Sequence, residues 1–102
     1  MTVGEIHDGD TFGGTLDLGF GMLATMFHCR VYGINAPELK TQAGKDALAY
    51  VETLLKPGDV VRVLSFGWDK YGGRFDGKVE LPDGRDLGTL MLESGHAVPL
   101  AS

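Results

Sequence analysis

The stretch that most restricts the fold of this chain runs from Arg30 to Glu38, Arg-Val-Tyr-Gly-Ile-Asn-Ala-Pro-Glu. It opens as a strand, because Val31, Tyr32 and Ile34 are β-branched or aromatic and favour extended backbone. Gly33 is a weak point within it. It closes as a loop, because Pro37 has no N–H for a ladder and pushes Ala36 out of the helical region. Such a strand delivers one fixed cation, Arg30. An amide, a turn of backbone and a carboxylate follow at Asn35 to Glu38. Hard divalent cations take oxygen ligands, and a guanidinium matches phosphate oxygens in a bidentate fork. A cation beside a group of oxygen donors is what chemistry on a phosphate requires.

The rest of the chain supplies a scaffold for that strand. Met1 to His7 reads as a first strand with Val3 and Ile6 inward. Asp8-Gly9-Asp10-Thr11 reads as a tight turn or bulge. There Gly9 would allow positive φ, and the flanking Asp side chains would bond local backbone. Phe12 to Leu18 resumes extended structure with Phe12, Leu16 and Leu18 on one face. Gly19-Phe20-Gly21 signals a hairpin into a third strand from Met22 to Ile34. From Leu39 to Lys56 the period becomes helical, with Ala43, Ala47, Val51, Leu54 and Leu55 on one face. Thr41 is the expected N-cap, and Pro57-Gly58 is the stop. Asp59 to Phe66 alternates as a fourth strand, and Phe75 to Leu81 forms a fifth. Pro82-Asp83-Gly84-Arg85 is a turn. Asp86 caps a second helix with Leu87, Leu90, Met91 and Ser94 on one face, ended by Gly95. His96 to Ser102 is a short tail.

The order β-β-β-α-β-β-α predicts a β-rich α+β fold. It is the connectivity of an OB-fold, a five-stranded β-barrel with a helix between strands three and four and another after strand five. A chain of 102 residues fits one domain spanning residues 1–102. No apolar run of about 18 residues would cross a membrane. No signal peptide is visible, so a cytoplasmic location is the default expectation. Cys29 is alone, which leaves no intrachain disulfide and no zinc cluster, and it reads as a small core residue. His7, His28 and His96 have no spacing that suggests a site. Phe66 and Trp68 are expected to pack on a barrel rim rather than to stack on a base. The net charge of −5 opposes non-specific nucleic-acid binding.

Four motifs stand in order: Asp8-Gly9-Asp10-Thr11, Arg30 through Pro37-Glu38, Asp69-Lys70-Tyr71-Gly72-Gly73-Arg74, and Leu81-Pro82-Asp83-Gly84-Arg85-Asp86-Leu87. A helix ending Glu93-Ser94-Gly95-His96-Ala97 follows. Together they cover nearly the whole chain, and they resemble the staphylococcal-nuclease-like, or thermonuclease, family. That family has OB-fold, calcium-dependent phosphodiesterases acting on DNA and RNA, and non-catalytic relatives used as binding modules. The resemblance implies a monomeric nuclease with DNA and/or RNA as substrate and Ca2+ as cofactor. Its alternative is a non-catalytic OB module binding nucleic acid or protein.

Carried over position by position, the resemblance makes Asp10, Asn35 and the Ala36 backbone carbonyl the calcium ligands, with Asp8 behind them. It makes Arg30, Glu38 and Arg74 catalytic: the arginines clamp the phosphate, and Glu38 orients or deprotonates the attacking water. Lys70 and Tyr71 would line the nucleotide pocket. Three departures carry consequences. Asn35 stands where a carboxylate is usual, so calcium should bind more weakly. Gly73 moves Arg74 one residue along, which a bulge can absorb. The chain stops soon after the second helix, and the tail Val98-Pro99-Leu100 lacks a base-stacking aromatic, so the grip on substrate should be poorer.

Overall fold

A computed structural model describes residues 1–19, 21–68 and 74–100 of the chain. Strands β1 (Thr2–Ile6), β2 (Thr11–Gly19) and β3 (Met22–Val31) form an antiparallel meander. The β1–β2 register shifts between Val3 and Ile6, and the β2–β3 register between Gly14 and Leu16. The third strand is shorter than expected. Gly33 takes φ 82°, a left-handed value that breaks the ladder, and only Ile34–Asn35 resume as β4.

Helix α1 (Gln42–Leu54) starts at Thr41, whose hydroxyl accepts the Gly44 N–H at 3.0 Å. It buries Gly44, Ala47 and Val51, whereas Ala43, expected on that face, is exposed. Gly44 rather than Ala43 is the buried residue of the first turn, because the helix start rests closely on the loop before it. Strands β5 (Arg62–Trp68) and β6 (Arg74–Glu80) pair antiparallel. Helix α2 (Leu87–Glu93) is capped by Asp86, which accepts the Thr89 N–H at 2.9 Å. The tail is not a free end. Val98–Pro99 form β7 and pair with β4, and Leu100 N–H donates to Gly33 O at 2.9 Å.

The result is a mixed sheet of five strands in the order β1-β2-β3-β6-β5, parallel only between β3 and β6, plus the small β4-β7 pair. In chain order helix α1 falls between β3 and β5, the third and fourth strands of the large sheet, and α2 follows β6, the fifth. Alternation on β6 sets the faces: Phe75, Gly77 and Val79 are buried, while Arg74, Asp76 and Lys78 are exposed. The inner face meets Val51 and Leu55 around α1, and Leu87 and Met91 of α2, in one core with Phe12, Cys29, Val31 and Ile34. Cys29 is wholly buried, as expected.

The two outer strands approach each other at one end. Val3 N–H donates to Asp59 O at 2.8 Å, Gly58 N–H to Val3 O at 2.7 Å, and Val61 N–H to Met1 O at 2.9 Å. Thr2 and Val60 form a single bridge, and the sheet is not closed through it. Among the described residues no helix is long and apolar enough to cross a membrane.

Candidate functional site

The β1–β2 turn, the end of β3 and the loop after β4 meet around one carboxylate. Thr11 pairs with Arg30 across the β2–β3 ladder, and Val31 N–H donates to Asp10 O at 2.8 Å. The turn is held locally: the His7 and Asp8 N–H groups donate to Thr11 O at 3.0 and 3.2 Å, and Asp10 N–H donates to Asp8 Oδ1 at 3.0 Å. Gly9 was expected for a positive φ, but its backbone is not left-handed. It is needed for room. A Cβ there would lie 2.8 Å from Ala36 Cβ and 2.9 Å from Ala47 Cβ. A side chain at position 9 would push the turn off both the loop and α1.

That close approach seats Asp10, which is 8% exposed. Its Oδ1 accepts the Thr11 hydroxyl at 3.0 Å, and its Oδ2 accepts the Ala36 N–H at 2.9 Å. Arg30 Nη2 stands 3.8 Å from Oδ2 and donates to Asn35 Oδ1 at 3.4 Å. Asp10, Arg30, Asn35 and Ala36, which belong to three separate segments, are therefore brought together. Asp8 lies beside them, and burial holds its carboxyl above the ordinary 3.8, with the Asp10 carboxylate adding to the shift against the Asp10 N–H.

The other expected site residues fall differently. The Glu38 side chain is 73% exposed and pairs with Lys40 at 3.2 Å. Its backbone is fixed, since Glu38 O accepts both the Thr41 N–H at 3.0 Å and the Thr41 hydroxyl at 2.7 Å. Arg74 opens β6 opposite His28, and Asp76 stands opposite Arg30. The register puts Arg30 and Arg74 on one face, as diagonal neighbours roughly 7–8 Å apart along the sheet. Lys70, Tyr71 and Gly73 lie outside the described residues, as does the Trp68 side chain.

The oxygens that could hold a hard cation are those of Asp10 and Asn35 and the Ala36 carbonyl, with Asp8 next to them. Each Asp10 oxygen accepts one hydrogen bond and keeps a further lone pair. The set fits calcium in donor type, all oxygen, but is poor in charge. Among the described residues, no three His, Cys, Asp or Glu side chains are grouped to hold a metal. A cavity of about 160 Å³ opens beside Asn35, between the Ala36–Pro37 loop and the segment from Gly95 to Val98.

Three features were not legible in the sequence. His7 and His28 meet edge to face at 4.7 Å, and His96 stacks on Tyr50 at 4.7 Å. Tyr32 and Phe66 form a tilted pair at 4.3 Å on the outer face, where Phe66 is 50% exposed. Each pair joins residues far apart in the chain, so spacing along the sequence gives no sign of it. Neither a family model nor a curated protein matches this chain.

Proposed function

We propose that the chain is a calcium-dependent nuclease of the staphylococcal-nuclease-like family that hydrolyses phosphodiester bonds of DNA and/or RNA. The observation that carries this reading is the meeting of Asp10, Arg30, Asn35 and the Ala36 backbone around one buried carboxylate. A buried acid beside an arginine and an amide oxygen is costly to assemble for stability alone. The fold is read as an OB barrel, supported by the bonds from Met1 and Val3 to residues 58–61 at the two outer edges of the sheet.

Arg30 and Arg74 bind the non-bridging oxygens of the scissile phosphate and oppose the charge that grows there during in-line attack. Glu38 takes the proton of the attacking water as its oxygen bonds to phosphorus, and the sugar oxygen released when the opposite P–O bond breaks takes a proton from solvent. To do so it leaves Lys40, which costs little because an exposed ion pair is worth less than about 1 kcal/mol. Calcium, held by Asp10, Asn35 and the Ala36 carbonyl with Asp8 behind, would when bound add positive charge against the phosphate. Loss of Arg30, Glu38 or Arg74 should cost activity on the order of a hundredfold or more.

One observation favours a second reading. Glu38 faces solvent on Lys40 rather than the Asp10 cluster, as a non-catalytic module binding nucleic acid or protein would allow. Cleavage of heat-denatured DNA decides between them, with wild type compared with Glu38→Gln and with a chelator. Calcium-dependent cleavage that collapses in Glu38→Gln supports the nuclease. A folded wild type that cuts nothing up to millimolar calcium leaves the binding module.

A further inference from the structure

We propose that the Tyr32–Phe66 ring pair is a stacking platform for a base of a single-stranded polynucleotide. The inference rests on the nucleic-acid reading above and specifies the form of the substrate.

The pair is placed outward by the backbone. Strand β5 pairs Ser65 with Gly77 and Gly67 with Asp76, so Phe66 falls in the register shift between them. Tyr32 gives its N–H to Gly77 O at 2.9 Å and stands just past the end of β3. The rings meet at 4.3 Å and 30°, yet Tyr32 and Phe66 stay 54% and 50% exposed. Neither belongs to the core cluster. Two large rings left half in water forgo burial that an interior position would have supplied.

Their surroundings select the partner. Arg30 precedes Tyr32 by two residues, and Arg74 and Lys78 are exposed on β6. Arg62 faces Glu80 at 3.8 Å, Asp76 stands opposite Arg30, and Asp10 lies 3.8 Å from Arg30. Among the described residues four cations, Arg30, Arg62, Arg74 and Lys78, thus stand against three acids, Asp10, Asp76 and Glu80, although the whole chain carries −5. An aromatic surface set among cations suits a chain with flat apolar bases and an anionic backbone. A duplex keeps its base faces stacked internally and cannot present one. A protein strand or a second copy of this chain would meet the rings without needing the cations.

The test is metal-free, so hydrolysis plays no part. Fluorescence anisotropy with chelator compares labelled oligothymidylate of about twelve nucleotides, an abasic strand of equal length, and a duplex. Wild type should favour the base-bearing strand over the abasic one by about tenfold. Phe66→Ala should lose that preference while leaving abasic binding unchanged, and Phe66→Tyr should restore it. Circular dichroism melts check that each variant is folded. Equal affinity for base-bearing and abasic strands, an unaffected Phe66→Ala, or no binding of any strand overturns the platform. So does a wild-type dimer in sedimentation that Phe66→Ala dissociates. Binding with base preference but no cleavage in calcium would remove the nuclease and keep the platform, whereas cleavage without base preference would do the reverse.

Discussion

Replacing Gly44 with alanine sets two effects against each other, and the structure decides the sign. By helix propensity alone, Gly→Ala inside α1 stabilises by about 1 kcal/mol. At Gly44, however, a Cβ would fall on the carbonyl oxygen of Glu38, with Leu39 Cα 2.9 Å away. Both obstacles are backbone and cannot swing aside as a flexible side chain would. The Glu38 carbonyl is also held by the Thr41 N–H at 3.0 Å and the Thr41 hydroxyl at 2.7 Å. Restoring van der Waals separation moves helix and loop apart by roughly an ångström or more. Overpacking of this kind costs about 1–3 kcal/mol, and a loosened Thr41 cap adds about 1 kcal/mol. Less the propensity gain, the net loss is about 1–3 kcal/mol, or a fall in Tm of roughly 5–20 °C for a domain of this size. Thermal and urea unfolding followed by circular dichroism read it directly. A rise in Tm for Gly44→Ala, the result propensity alone demands, would refute the close approach of α1 to the Glu38 loop.

Asp10→Ala strips the partner from the part-buried Ala36 N–H and should lower stability by about 1–3 kcal/mol in urea unfolding; an unchanged midpoint would mean that Asp10 does not hold the loop. Burial pushes the Cys29 thiol from 9.0 to about 12, with Asp76 adding to the shift. That difference of 3 units leaves about a thousandfold less thiolate than an ordinary cysteine has at the same pH. The thiolate of a higher-pKa thiol is more nucleophilic, which offsets about half of that, so a disulfide reagent should label native protein at least about thirtyfold more slowly than urea-unfolded protein; comparable rates would remove Cys29 from the core.

What could be read in the sequence was whatever depends on neighbouring residues. Thr41 and Asp86 cap as expected because an N-cap bonds a backbone N–H only a few residues on. The strand, helix and turn segments follow from period and from glycine and proline. The misses depend on approach between distant segments. Ala43 against Gly44 was one such miss: Ala47 and Val51 keep the expected face, and only the contact of Gly44 with the Glu38 loop makes position 44 the buried one of the first turn. Gly9 was another: its small size serves Ala36 and Ala47, which lie far along the chain. The pairing of Val98–Pro99 with Ile34–Asn35 gave no signal, because two-residue strands have no period. Within the candidate site, Asp10, Arg30, Asn35 and Ala36 come together as expected. Glu38 does not join them: its side chain pairs with Lys40 two residues on, a local contact too weak to be ranked from sequence against a place in the site.

A net charge of −5 argues against phosphate binding, but the arrangement around Asp10 changes what that charge does. Arg30 is tied to the site only loosely, at 3.8 Å from Asp10 Oδ2 and 3.4 Å from Asn35 Oδ1. Both distances are too long for strong hydrogen bonds. A guanidinium carries five N–H donors, so most remain for an incoming anion, while the carboxylate keeps the side chain aimed. The acid most deeply set in this region thus orients a cation rather than cancelling it. A phosphate that binds Arg30 gains charge-assisted bonds and breaks only weak ones. Asp10 accepts from Ala36 and Thr11 on its own, and those bonds do not depend on Arg30. The same carboxylate can therefore hold the loop and serve the site, which is why its removal should be felt in stability and in any activity alike.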